Sequence, residues 1–148
     1  MSRVLIVEDP LTVMQLSGPL MDIPDLEFDV FSDGREAMDR VSIAPGTFDL
    51  VAVGDGVSGM ALIECVAYLR RMFRELLIVV LVSEDTEDQI LELNTHGIRR
   101  AHVLVKPTTP DRFSELIAGM LEEDRRKTVE KRKRKQEGKQ HPPNGNVQ

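Results

Sequence analysis

Apolar runs and helical periodicity alternate along this chain. Residues 3–7 form a short apolar run, read as a buried strand that ends in Glu8-Asp9. Leu11, Val13, Met14, Leu16, Leu20 and Met21 predict a helix, which Gly18-Pro19 should kink or break, because proline removes a donor and clashes one turn back. Leu26, Phe28 and Val30 alternate with Glu27 and Asp29, as in a half-exposed strand. Asp33 with Glu36 three residues on marks a helix start. Ala37, Met38 and Val41 should face inward, and Pro45-Gly46 should end that helix.

The middle of the chain repeats the pattern. Leu50-Val51-Ala52-Val53 reads as a buried strand, followed by a Gly-Asp-Gly-Val-Ser-Gly turn and a helix over residues 60–73. Residues 76–82 are uniformly apolar with three valines, the mark of a strand covered on both faces. Thr86 and Gln89 form a capping box, Ile90, Leu91 and Leu93 follow, and Gly97 stops that helix. Residues 102–105 are a last strand that delivers Lys106-Pro107. Thr109 caps a helix with Pro110 in its first turn and an inward stripe of Phe113, Leu116, Ile117, Met120 and Leu121. Five strands alternating with five helices predict an α/β fold with a doubly wound parallel sheet. The methionines Met14, Met21, Met38, Met60, Met72 and Met120 are expected as core filler.

Composition narrows the classes. With 41% hydrophobic and 30% charged residues, the chain reads as one soluble globular domain with a tail. The longest apolar run is far too short to span a bilayer, and the N-terminus lacks the features of a signal peptide. The single Cys65 excludes an intramolecular disulfide and suits a reducing cytoplasm. The net charge of −6 conceals a split: residues 1–124 carry 10 Lys+Arg against 23 Asp+Glu, and residues 125–148 carry 9 against 2. An acidic body of residues 1–121 is therefore followed by a basic extension, residues 122–148. Its first part is expected to continue the last helix, and its HPPNGNVQ end to be disordered.

In an open α/β sheet the chemistry sits outside the carboxyl ends of the strands. Asp55, Glu8, Asp9 and Lys106 all fall there, as does Ser83 after the fourth strand. Each has a plainer reading: Asp55 as a turn aspartate, Glu8-Asp9 as a solvated helix-start pair, Ser83 as part of a helix cap, and Lys106 as a cation that neutralises the acids. His96 and His102 lack partners at metal-ligand spacing and read as structural.

The segments VLIVED, SDGREAMDRV, FDLVAVGD, IVVLVSED and LVKP, in that order, resemble the receiver domain of bacterial response regulators, over about residues 3–121. The resemblance implies a flavodoxin-like sheet of order 2-1-3-4-5. It implies phosphoryl transfer from a histidine kinase or phosphotransfer protein onto Asp55. Glu8 and Asp9, with Asp55, would bind Mg²⁺, Ser83 would be the switch hydroxyl, and Lys106 would precede a cis Pro107. Such a metal would relieve a cluster of mutually repelling acids, and phosphoryl transfer needs mainly positioning and charge neutralisation.

The departures from the family pattern matter as much. Counted from Asp49, the family's acceptor position falls on Gly54, and Asp55 comes one residue later. A one-residue slip turns a strand side chain to the opposite face unless a bulge absorbs it, and Gly54 would permit a bulge. The following loop is short and lacks the family's Met-Pro segment. The segment from Gly97 to Lys106 is longer than usual, and Val103 stands where the family carries Tyr or Phe. An atypical receiver is expected, a signalling module without an output domain of its own. Its downstream protein target would be met through the fourth helix, fifth strand and fifth helix. It would be no enzyme beyond transfer of phosphate to its own aspartate. Two alternatives stand beside this: a pseudo-receiver that binds a partner without phosphorylation, and a nucleic-acid-associated protein acting through the KRKRK-bearing tail. Membrane docking is not expected, because the tail has no apolar face.

Overall fold

The computed structural model describes the backbone of residues 1–140 and side chains through Glu137; the segment HPPNGNVQ, expected to be disordered, lies outside the described residues. Five parallel strands, β1 (Ser2–Val7), β2 (Leu26–Phe31), β3 (Leu50–Gly54), β4 (Leu77–Val82) and β5 (Val103–Val105), form one sheet of order β2-β1-β3-β4-β5. Every residue of β3 is buried, since it is the central strand with helices on both faces. The helices are α1 (Pro10–Leu16), α2 (Gly34–Ile43), α3 (Leu62–Met72), α4 (Glu87–Thr95) and α5 (Pro110–Gln140).

Helix starts follow local chemistry. The carboxylate of Asp33 accepts from Glu36 N (3.0 Å), and the hydroxyls of Thr86 and Thr109 accept from Gln89 N (3.3 Å) and Arg112 N (3.1 Å). Gly46 and Gly97 take positive φ angles of 85° and 76° just beyond the ends of α2 and α4. The break foreseen at Gly18-Pro19 is real: α1 ends at Leu16 and a 3-10 turn, Gly18–Asp22, replaces its continuation.

Alternation along the strands divides the core in two. Leu5, Val7, Val51, Val53, Ile78 and Val80 face α2, α3 and α4. Val4, Ile6, Leu50, Ala52, Val79 and Leu81 face α1 and α5, where Phe113, Ile117, Met120 and Leu121 form the buried stripe of α5. Three methionines do not fill the core as expected. Met14 and Met21 are 75% and 71% exposed, and Met72 is also exposed. In α1 only Val13 and Leu16 face inward, and the 3-10 turn buries Leu20 in place of Met21, so the break in the helix changes which apolar side chains can reach the sheet. Met38 and Met120 are buried, and Met60 packs against the core edge.

From Glu122 to Glu137 every residue of α5 is exposed, and the helix continues as a charged rod beyond the body. Among the described residues no helix is long and apolar enough to cross a membrane.

Candidate functional site

β1 delivers Glu8 and Asp9 to one end of the sheet, β3 delivers Asp55, β4 delivers Ser83, and β5 delivers Lys106, whose bond to Pro107 is cis. Parallel strands bring all five residues to the same end, as the strand-end reading expects.

Asp55 lies one residue beyond the last residue of β3. The register with β4 runs unbroken from Leu50 opposite Leu77 to Gly54 opposite Leu81, so no bulge carries the slip. Asp55 N donates to Leu81 O at 2.9 Å, and past that bond strand alternation no longer directs its side chain. The carboxylate accepts from Ser83 N at 2.6 Å, from Ser83 Oγ at 3.2 Å, and from Lys106 Nζ at 2.7 Å. Ser83 is thus a partner of Asp55 and not a cap, since Thr86 caps α4.

The same ammonium reaches the other acid. Lys106 Nζ donates to Glu8 Oε2 at 2.8 Å, and Glu8 Oε1 accepts from Asp9 N at 2.9 Å. Glu8 is fully buried, while Lys106 and Asp55 keep 18% and 25% of their side-chain surface. A carboxylate withdrawn from water needs a charge partner, and Lys106 supplies it for both acids. Asp9 takes no part in this bridge. Its Oδ1 accepts from Thr12 N at 3.0 Å and its Oδ2 from the Thr12 hydroxyl at 2.7 Å, so it serves as the N-cap of α1.

Burial alone would push Asp55 up, but the hydrogen bonds from Lys106 and Ser83 and the lysine's charge outweigh it and hold the carboxyl below its ordinary range. Burial likewise works to lower Lys106, and its bonds to Asp55 and Glu8 reverse the sign and raise it. Asp9 is lowered by the backbone and side-chain bonds from Thr12.

The glycines of the turn after β3 carry a signal that the strand-end reading missed. A Cβ on Gly54 would lie 1.6 Å from Glu8 Oε2, and one on Gly56 would lie 2.4 Å from Glu8 Oε1 and 2.7 Å from Asp9 Oδ2. Gly59, at φ +79°, has Asp33 Oδ2 in the corresponding place at 2.3 Å. Acids from β1 and from the start of α2 thus occupy the space that side chains in this turn would need. The spacing Gly-Asp-Gly was visible in the sequence, but the partner of each glycine was not. Thr12, which locks Asp9, was also missed; its place three residues after an acid is the available signal.

The donor set does not fit a divalent cation as it stands. Glu8, Asp9 and Asp55 spend their oxygens on Asp9 N, Thr12, Ser83 and Lys106, and the Gly56 backbone lies against both β1 acids. A hard cation needs several oxygens directed to one point. Among the described residues no group of three or more His, Cys, Asp or Glu is placed to hold a metal. His96 offers its carbonyl to Arg70 Nε at 2.9 Å, and burial lowers the imidazole of His102. A shallow cleft of about 250 Å³, bordered by Thr12, Gln15, Ser83, Lys106 and Thr108, opens beside the network.

No protein-family model matches the chain. Solved structures do match. A CheY-like response regulator receiver domain protein from Methanospirillum hungatei superposes with a TM-score of 0.72 at 16% identity, covering 86% of this chain and 98% of that one. Chemotaxis protein CheY4 of Vibrio cholerae gives 0.65 at 25% identity, covering 83% and 98%. The CheX–CheY–BeF3–Mg complex of Borrelia burgdorferi gives 0.71 at 19% identity, covering 81% and 89%. In sequence, the chain is 28% identical over 115 residues to transcription factor SKN7 of Chaetomium thermophilum, spanning 78% of this chain but 15% of that relative's length.

Proposed function

We propose that this chain, a response-regulator receiver domain by its fold, is a two-component signalling domain that acts by contact with another protein and whose site is neutralised from within by Lys106. The observation that carries the reading is the single ammonium bonded to Glu8 at 2.8 Å and Asp55 at 2.7 Å. An ammonium between two carboxylates removes the repulsion that would otherwise call for a metal. Ser83 adds two donors to Asp55, so the carboxylate is already held as a hydroxyl and a cation would hold an added anionic group. In this reading the domain binds its partner without phosphorylation, and the chain's own residues set the conformation that the partner meets.

A second reading has support of its own. Asp55 keeps a quarter of its side-chain surface and is held ionised by Lys106 and Ser83, both of which border the cleft. Those properties suit a carboxylate that accepts a phosphoryl group from a histidine kinase or phosphotransfer protein. Incubation with acetyl phosphate and Mg²⁺, followed by intact-mass measurement of wild type and Asp55→Asn, separates the two. An unmodified wild type supports the internally neutralised domain. A base-labile phosphoryl adduct on wild type that Asp55→Asn lacks gives the function to the second reading.

A further inference from the structure

The charged rod at the end of α5 has no role in the site, and its geometry narrows what it meets. Residues 125–137 carry eight cations and two acids, Glu130 and Glu137, all exposed. Arg125 and Arg132 lie seven residues apart and so on one helix face, and both border a groove with Asp25 and Asp49 of the same molecule. The other six, Arg126, Lys127, Lys131, Lys133, Arg134 and Lys135, point elsewhere. Lys127 pairs with Glu123 at 3.3 Å, but among the described residues Arg126 and the cations of the 131–135 run make no ion pair.

At 100° per residue, Lys133 and Lys135 face opposite sides of the helix, with Arg134 between them and away from the body. An arm that lay on a flat surface, whether membrane or acidic protein, would use cations on one face and leave the opposite flank in solvent. A helix in the major groove of a B-form DNA duplex has a phosphate wall on each side, so cations on both flanks find partners. No apolar stripe suits the rod to a peptide groove or a coiled coil, and Val129 is exposed. The body, with its excess of acids, is repelled by phosphate and leaves contact to the rod alone.

From this arrangement we infer that the α5 extension binds double-stranded DNA through its phosphates, without sequence preference. The inference stands apart from the chemistry at Asp55, and either can fail alone. The test is fluorescence anisotropy of the full chain with a labelled mixed-sequence DNA duplex, across a salt series, beside the single strand and polyglutamate of equal charge. Six engaged cations give a log K against log [salt] slope of about −5 on the duplex. Replacing Lys131, Lys133, Arg134 and Lys135 by Gln reduces it to about −2, so that the affinity lost between 50 and 200 mM salt falls from about 1,000-fold to roughly 10-fold. Circular dichroism should show the variant still folded, and Arg35→Gln on the body should bind as wild type does. Absence of duplex binding at low salt, unchanged binding by the fourfold variant, or polyglutamate or single strand bound as tightly as duplex each overturns the inference.

Discussion

Gly54 and Glu8 occupy one space: a Cβ on the glycine would sit 1.6 Å from the carboxylate oxygen Oε2 of the glutamate. The last residue of the central strand lacks a side chain, and a fully buried acid from the neighbouring strand fills the gap. That exchange places Glu8 within reach of Lys106 and leaves Asp55, one residue on, to meet the same ammonium from the other side.

Gly54→Ala therefore forces the Glu8 carboxylate from its position. Overpacking of this kind costs about 1–3 kcal/mol, and displacing a buried charge from its partner brings it to the upper end. Urea unfolding should show the loss. Shortening the acid as well, in Gly54→Ala with Glu8→Ala, should cost less than the sum of the two single changes, because the residues compete for one volume. Additive losses would mean that the two do not share it.

Removing the ammonium strands two carboxylates. Lys106→Met should destabilise the domain by about 3–5 kcal/mol, since a buried acid without its partner costs more than the pair contributes. Adding Glu8→Gln to Lys106→Met removes the buried charge and should restore most of the stability. A Lys106→Met protein as stable as wild type in urea would show that the bridge carries no weight.

The direction of each shift fixes a pH window. Asp55 has a folded pKa below its ordinary 3.8, so its contribution is present above that value and is lost as pH falls through the depressed folded value. Lys106 is raised above its ordinary 10.5, so its contribution is present below that value and is lost as pH climbs through the raised folded value. Stability from the network should be flat between these limits and fall at both ends. Ser83→Ala removes one donor to Asp55 and should lower stability near neutrality by about 0.5–1.5 kcal/mol, a difference that narrows in acid as the carboxylate protonates. Unfolding curves of wild type and Ser83→Ala from pH 3 to pH 8 read it directly.

Much of this architecture was legible beforehand because it rests on local signals. Runs such as residues 76–82 announce buried strands, and Asp33, Thr86 and Thr109 start helices where a side-chain oxygen meets a free N–H. Strand-end logic also gathered Glu8, Asp9, Asp55, Ser83 and Lys106 at one end of the sheet. What stayed hidden depends on contacts between distant segments. Whether Asp55 turned inward or outward depended on Ser83 and Lys106, 28 and 51 positions away, and not on alternation within β3. Glu8 and Asp9 looked alike as neighbours, yet one is buried against Gly54 and Lys106 and the other caps α1 through Thr12. Met14 and Met21 carry apolar character that reads as core, yet Val13 and Leu16 take the inward face of α1 and leave Met14 outside, and the 3-10 turn after Ser17 buries Leu20 and turns Met21 outward.

The most direct test of an internally neutralised site is an amide NMR titration with Mg²⁺, then beryllofluoride, on wild type and Asp55→Asn. Beryllofluoride mimics an aspartyl phosphate and requires a carboxylate and a cation that can reach each other. With Lys106 holding both acids, the amides of Glu8, Asp9, Ser83 and Lys106 should stay unmoved through both additions. Saturable shifts at those four amides in wild type, absent from Asp55→Asn, would contradict the account and establish a phosphorylation site that Mg²⁺ opens.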